Sequence, residues 1–406
     1  MLEVKKFGGA CTASPEQIRN AAERCAEDYK EGNDIVVVMP PMPETITYLT
    51  EMARKISMRP SKRELDMVLA SGDPVSAALM AMAFDSMGVR SVSLSAWQVP
   101  VFTTGQYTRA RITGIDKSRI LHELDDRKIV IVTGTTGINK FGDIATLGAG
   151  GSDAMAVALA AELGADLCQI YTESDGIYTA DPEICPDAGK LTEITYDEMI
   201  ELTATGRTTI HNRAVEMAKK YSVPLVIRSG FTHDEGTVVR EETQKMERNL
   251  ISGVTLDTHT KRISVMGLPD EPGIAFRLFD ILAKASVNVD VIVQSVGRDG
   301  TQDISFTCSD NDADKAMETI KKDEKKLRFQ KIVLDGDVAK ISVVGSGMLG
   351  TPGVASRVFE SLYNEDINIH MITTSEIRIT VLIKKEDGER AVNAIHDAFG
   401  LSGEAQ

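Results

Sequence analysis

The stretch VKKFGGACTASPEQIRNAAERCAEDYKEGNDIVVVMP, Val4 to Pro40, decides the fold. Its two ends, VKKFGG and DIVVVMP, read as strands buried on both faces. Between them Ser14 is placed as an N-cap, Pro15 takes the first helical position and Gln17 completes a capping box. Ile18, Ala22, Cys25 and Tyr29 then fall on one stripe of a helix. Strand, helix and strand in that order make a crossover between parallel neighbours. The alternation continues through SVSLSA (91–96), RKIVIVTG (127–134), DLCQIYT (166–172) and PLVIRS (224–229). Helical patterns intervene near 62–70, 74–87, 152–163, 196–204 and 213–221. Residues 1–230 are therefore expected to form a three-layer α/β/α domain around a mostly parallel sheet.

After residue 230 the alternation stops, and the charged segment REETQKMERN (240–249) reads as part of a connector over 231–262. An internal repeat follows: ISVMGLPDEPGIAFRLFDILAKASVNVDVIVQS from Ile263 matches ISVVGSGMLGTPGVASRVFESLYNEDINIHMITTS from Ile341. Pro272 and Pro352, Gly273 and Gly353, Phe279 and Phe359, and Asn288 and Asn368 stay in one register. Each copy ends in an alternating strand, DISFT or EIRIT, and a helix. Two small βαββαβ modules are expected, at 263–330 and 338–402.

With 406 residues, 42% hydrophobic and 26% charged, the chain has the composition of a folded multidomain protein. Its net charge of −15 repels nucleic acid and anionic membranes. The start MLEVKKFGGA carries no basic-then-apolar leader, so a cytoplasmic protein is expected. Five cysteines without CxxC spacing and six scattered histidines give no sign of a disulfide framework or a metal site.

Three segments carry chemistry. KKFGG puts Lys6 at a strand end and Gly8 and Gly9 in the following turn, where backbone approaches phosphate without a Cβ in the way. TLGAGGSDAMA (146–156) is a second glycine turn opening a helix, with Ser152 placed as its N-cap and Asp153 in the first turn. QIYTESDGIYTADPE gathers Thr172, Tyr178, Thr179 and Asp181, a set able to cradle a ribose and base. Taken singly, each is also an ordinary turn or polar loop.

Their order, together with RELDMVLASGD (63–73), NRAVEMAKKY (212–221) and the repeated module, resembles the aspartate kinases of the amino-acid kinase superfamily over nearly the whole chain, with the two repeats as ACT domains. The resemblance implies transfer of the ATP γ-phosphoryl group to the side-chain carboxylate of L-aspartate, with Mg2+ carried by the nucleotide. Lys6 would bridge the phosphates, and the amides of Gly8, Gly9, Gly150 and Gly151 would hold oxygens. Asp153 would orient Lys6 or the substrate ammonium, with Asp73 and Ser152 also at the substrate. Thr172, Glu173, Asp175, Tyr178 and Asp181 would bind the nucleotide.

The resemblance also implies effector pockets for lysine, threonine or both. The first module would contribute Asp270, Gly273, Ile274, Asn288, Asp290 and Gln294; the second, Val354, Ala355, Asn368, Ile369, Ser375 and Glu376. A homodimer through the ACT sheets is implied as well.

The chain departs from the family pattern at several places. Ala149 replaces an arginine that grips the substrate α-carboxylate, Asp73 replaces a glutamate, and Pro40 and Ile46 replace a serine and a threonine. Glu173 and Glu183 stand where relatives have Asp and Arg. Two further readings stay open on these grounds: an effector-binding subunit without turnover, and a kinase for another small carboxylic acid.

Overall fold

In the computed structural model, residues 1–205, 210–242, 250–296 and 300–403 are described. All six strands read from the sequence lie in one eight-stranded sheet. Its spatial order is Glu193–Thr195, Thr237–Arg240, Leu225–Ser229, Leu167–Thr172, Leu2–Phe7, Asp34–Met39, Ile129–Thr133, Ser91–Leu94. Every neighbouring pair is parallel except Leu225–Ser229 with Thr237–Arg240. Period-two alternation splits the strand residues between two cores. Ile35, Val37, Ile129 and Ile131 pack with Ile18 of helix Pro15–Lys30 and Met80 and Phe84 of helix Gly72–Ser86. Val36, Val38, Val130 and Val132 pack with Met155 and Leu159 of helix Gly151–Leu163 and Val215 of helix Asn212–Tyr221.

Ser14 caps its helix, accepting from the Gln17 amide at 3.2 Å. Only half of the capping box forms, because Gln17 Oε1 has no partner. Two features lie outside the strands and helices expected from the sequence. A four-stranded side sheet joins Ile112–Ile115, Val101–Thr103, Thr136–Ile138 and Ile144–Thr146, strands too short to show a period. Helix Pro43–Ile56 buries no residue fully, and its face of Ile46, Leu49 and Ala53 is only half-buried. By length and composition alone, Lys62–Ser86 is apolar enough to cross a membrane. In the fold its Asp66 and Asp73 are fully buried and hydrogen-bonded, as in a core helix.

The first C-terminal module is βαββαβ: strand Thr260–Pro269, helix Ile274–Lys284, strands Ile292–Val296 and Thr301–Ser309, helix Asp310–Lys322, strand Lys331–Asp335. Its sheet is antiparallel, in the order Ile292–Val296, Thr301–Ser309, Thr260–Pro269, Lys331–Asp335. The second module repeats this up to helix Gly388–Phe399, with no closing strand after it among the described residues. Its place beside Val338–Val344 is taken by Gly253–Asp257, from ahead of the first module. The twofold βαββαβ expectation is corrected accordingly, since an edge strand can come from any part of the chain that reaches it. Segment 231–262, expected as a connector, thus contains a strand of the large sheet, Thr237–Arg240, and one of the second module. Residues 243–249 of that segment lie outside the described residues. Gly273 and Gly353 adopt the same left-handed N-cap, φ 93° in both, so the repeat in sequence is a repeat in backbone. All five cysteines are buried free thiols.

Candidate active site and nucleotide cleft

Strand Leu2–Phe7 has its sequence neighbour Asp34–Met39 on one side and Leu167–Thr172 on the other. At such a switch the loops leaving the carboxyl ends diverge and open a crevice. The two central strand ends are locked together: the Phe7 and Tyr171 rings stack at 4.6 Å, and the Arg24 guanidinium lies over Tyr171 at 5.2 Å. Beside them, Lys6 Nζ is 2.6 Å from Asp153 Oδ1, with both side chains nearly buried. Asp153 Oδ2 accepts from the His211 amide at 3.2 Å. A buried ammonium and carboxylate persist only as such a pair, so each fixes the other's position.

The glycine turns converge on this pair, though not as supposed in detail. The Gly8 amide donates to Tyr171 O at 2.8 Å and the Gly151 amide to Gly148 O at 3.0 Å, so neither is available to a phosphate oxygen. The Gly9 and Gly150 amides make no hydrogen bond among the described residues. Ser152 is not the N-cap; Gly150 is, at φ 66°, which places Ser152 inside the first turn. A Cβ on Gly150 would lie 2.2 Å from His211 Cγ, so this glycine serves close packing as well as backbone conformation.

Asp73 is fully buried and turned into the chain. It accepts from the Thr135 amide (3.0 Å), Thr135 Oγ1 (2.6 Å) and Thr136 Oγ1 (3.0 Å). Burial raises its pKa to about 6 against the pull of those donors. Asp66, within the RELD stretch, accepts from the Thr108 and Thr146 amides (2.9 Å each) and from Thr146 Oγ1 (2.6 Å). It pins the strand that leads into the glycine turn. Arg213 is the residue that sequence reasoning missed. Its guanidinium donates to Leu147 O and Ala110 O, 3.2 Å each, and so reaches the turn that carries Ala149. Burial, then repulsion from Arg111, lowers its pKa. No spacing in the sequence links a residue at 213 to a turn at 148.

Glu173, Tyr178 and Asp181 line a cleft of about 480 Å³, together with Gly176, Ile177 and Ala180. Val254, Thr255 and Leu256 of the second module's edge strand also line it. The other two nucleotide candidates are committed inside the loop. Thr172 Oγ1 donates to Ser174 O at 2.8 Å. Asp175 accepts from Tyr178 Oη at 2.8 Å and Lys190 Nζ at 2.9 Å. Burial opposes ionisation of Asp175, but these partners outweigh it and hold its pKa below the usual value. Burial, then the Asp175 carboxylate, pushes the Tyr178 phenol up to about 12. Glu183 is exposed, so its charge is screened by solvent.

The effector candidates fall at two corresponding places. Gly273 and Ile274, like Val354 and Ala355, sit at helix starts with Asp270 in the preceding turn. Asn288, Asp290 and Gln294 lie on or before Ile292–Val296, while Asn368, Ile369, Ser375 and Glu376 flank Met371–Thr374. Both strands are sheet edges, paired on one side only among the described residues. Asp290 is already paired: its carboxylate is 2.5 Å from Lys340 Nζ of the second module.

A profile of the amino acid kinase family matches residues 1–229, and a profile of the ACT domain matches 263–323 and 341–399. The aspartokinase of Corynebacterium glutamicum is 43% identical over 408 residues, covering 99% of this chain and 97% of that protein. The aspartokinase of Corynebacterium efficiens is 42% identical over 410 residues, covering 100% and 97%. In fold, the chain is similar to E. coli aspartokinase III solved in complex with aspartate and ADP, with a TM-score of 0.83, 21% identity and coverage of 98% and 99%. The chain belongs to the amino acid kinase family and, by relatives that span its whole length, to the aspartokinases.

Proposed function

We propose that the chain transfers the γ-phosphoryl group of ATP to the side-chain carboxylate of L-aspartate, in the crevice around Lys6 and Asp153. The observation that carries this reading is the buried pair between Lys6, near the carboxyl end of central strand Leu2–Phe7, and Asp153, on the helix opened by the second glycine turn. A carboxylate oxygen attacks phosphorus, the bond to the β-phosphate oxygen breaks, and ADP leaves. The attacking group is already ionised at neutral pH, so no general base is needed. Catalysis then rests on positioning and charge neutralisation. Lys6, held by Asp153, neutralises charge on the transferred group, and the Gly9 and Gly150 amides supply donors. Arg213 presents the cationic side of the turn to the substrate.

The nucleotide occupies the cleft lined by Tyr178 and Asp181. The Glu173 and Asp181 carboxylates at its wall are hard oxygen donors that suit Mg2+, which supplies further neutralisation of the phosphates when bound with ATP. Lysine or threonine binds at the ACT edges, where a second copy of the chain completes the sheets as a homodimer. Five free thiols fit a reducing, cytoplasmic setting.

Incubation with ATP, magnesium and aspartate, followed by hydroxylamine, should yield a hydroxamate from the trapped acyl phosphate. Absence of product at high enzyme concentration overturns the reading. Hydroxamate from a different dicarboxylate alone would reassign the substrate.

A further inference from the structure

The nucleotide loop is anchored from outside the kinase domain. Thr179 lies between the cleft residues Tyr178 and Ala180, and all of its polar atoms are engaged. Its amide donates to Gly189 O at 2.9 Å and its carbonyl accepts from Val254 N at 2.7 Å. Its hydroxyl lies 2.9 Å from His396 Nε2, accepts from Gly189 N at 2.9 Å and donates to Leu401 O at 3.2 Å. His396 is on the last helix, Gly388–Phe399, and is fully buried.

These bonds fix the histidine's chemistry. With the Thr179 proton directed to Leu401 O, the hydroxyl's two lone pairs face the Gly189 amide and the imidazole, so Nε2 must carry hydrogen. Nδ1 is buried without a partner, which is tolerable for a bare ring nitrogen and costly for a second N–H. The ring is therefore a neutral Nε2–H donor. Burial, which lowers its pKa, acts in the same direction against Asp397 on its own helix and Asp187 on the loop. The same helix also grips the loop through Asn393 Nδ2, which donates to Ile184 O at 3.1 Å. No folding requirement of a small α/β module calls for a buried imidazole aimed out of it at another domain.

We propose that His396 is a positioning residue for the nucleotide site: through Thr179 it sets the conformation of loop 177–183, and so makes ATP affinity depend on where the last helix of the second ACT module sits. The proposal rests on the reading that this cleft holds the nucleotide. Displacement of that helix then reaches the reaction as a change in ATP binding rather than in the chemical step.

The test is steady-state kinetics on the full chain, with ATP and aspartate varied separately. His396→Leu should raise the KM for ATP about tenfold, the worth of one buried hydrogen bond with its partner left unsatisfied, while kcat and the KM for aspartate stay within about twofold. His396→Gln, whose amide donates from a similar reach, should recover most of the loss. Thr179→Val should reproduce it from the other side, in case the Leu variant folds poorly. Arg378→Met breaks a different tie between module and kinase domain, the 2.7 Å ion pair with Glu201. It should leave the KM for ATP unchanged.

Two results overturn the proposal while leaving the cleft assignment standing. One is an unchanged KM for ATP in folded His396→Leu and Thr179→Val, with Asp181→Asn raising it; the other is an equal effect from Arg378→Met. If Asp181→Asn also leaves it unchanged, the cleft assignment fails and the proposal falls with it.

Discussion

Lys6 and Asp153 illustrate why a single side chain rarely tells its role. Removing one member of a buried ion pair leaves the other unpaired, at a cost of about 3–5 kcal/mol. Lys6→Met should therefore lower both stability and hydroxamate formation. Lys6→Met combined with Asp153→Asn should regain most of the urea midpoint and none of the activity, which separates the two roles. Asp73 offers a pH test. Its pKa rises from 3.8 to about 6 on folding, so protonation favours the folded state. The stabilisation is complete below the unfolded pKa and is lost as pH rises through about 6, with a full span of about 3 kcal/mol. Unfolding measured across that range should show this slope in the wild type, and Asp73→Asn should flatten it. For Arg213, the expected outcome of Arg213→Met is a KM for aspartate raised roughly tenfold with the KM for ATP unmoved.

Helices and turns were legible where the signal was local. Ser14, Pro15 and the Ile18 stripe announced a helix, and the six buried strands announced a sheet, because capping and periodicity act within a few residues. The side sheet was silent because its strands are three or four residues long. The glycine turn was legible as a turn but not in its contacts: Gly150 owes its lack of a side chain to His211, far away in sequence. A contrast between two left-handed glycines checks this. Gly164, at φ 65°, has nothing within 4 Å of a built Cβ. Gly164→Ala should cost only the backbone strain of about 1–2 kcal/mol. Gly150→Ala must also displace His211 and the start of its helix, and should lower the urea midpoint further and reduce kcat.

Across the whole molecule, the candidate site was readable as a set of motifs, and its assembly was not. Lys6 and Asp153 were named from separate segments, and only the parallel sheet brings them to 2.6 Å. The candidate nucleotide cleft has a wall, Val254 to Leu256, that belongs to the second module's sheet, which no spacing in the chain reveals. Assembly is testable at the two open edges. Ile292 is 51% exposed and Ile372 45%, and a lysine on an edge strand opposes pairing with another chain. Ile292→Lys with Ile372→Lys should shift the sedimentation of the protein towards the monomer.

The borrowed strand Gly253–Asp257 also imposes an order of events on synthesis. As the chain leaves the ribosome, the first module can close on itself, while this strand must wait exposed until Val338–Val344 has been made. A nascent or prematurely terminated product would display an unsatisfied strand beside a finished kinase domain, a natural handle for chaperones and proteases. A gene fragment meant to yield the regulatory half alone would have to begin upstream of Gly253, or its last module would lack an edge.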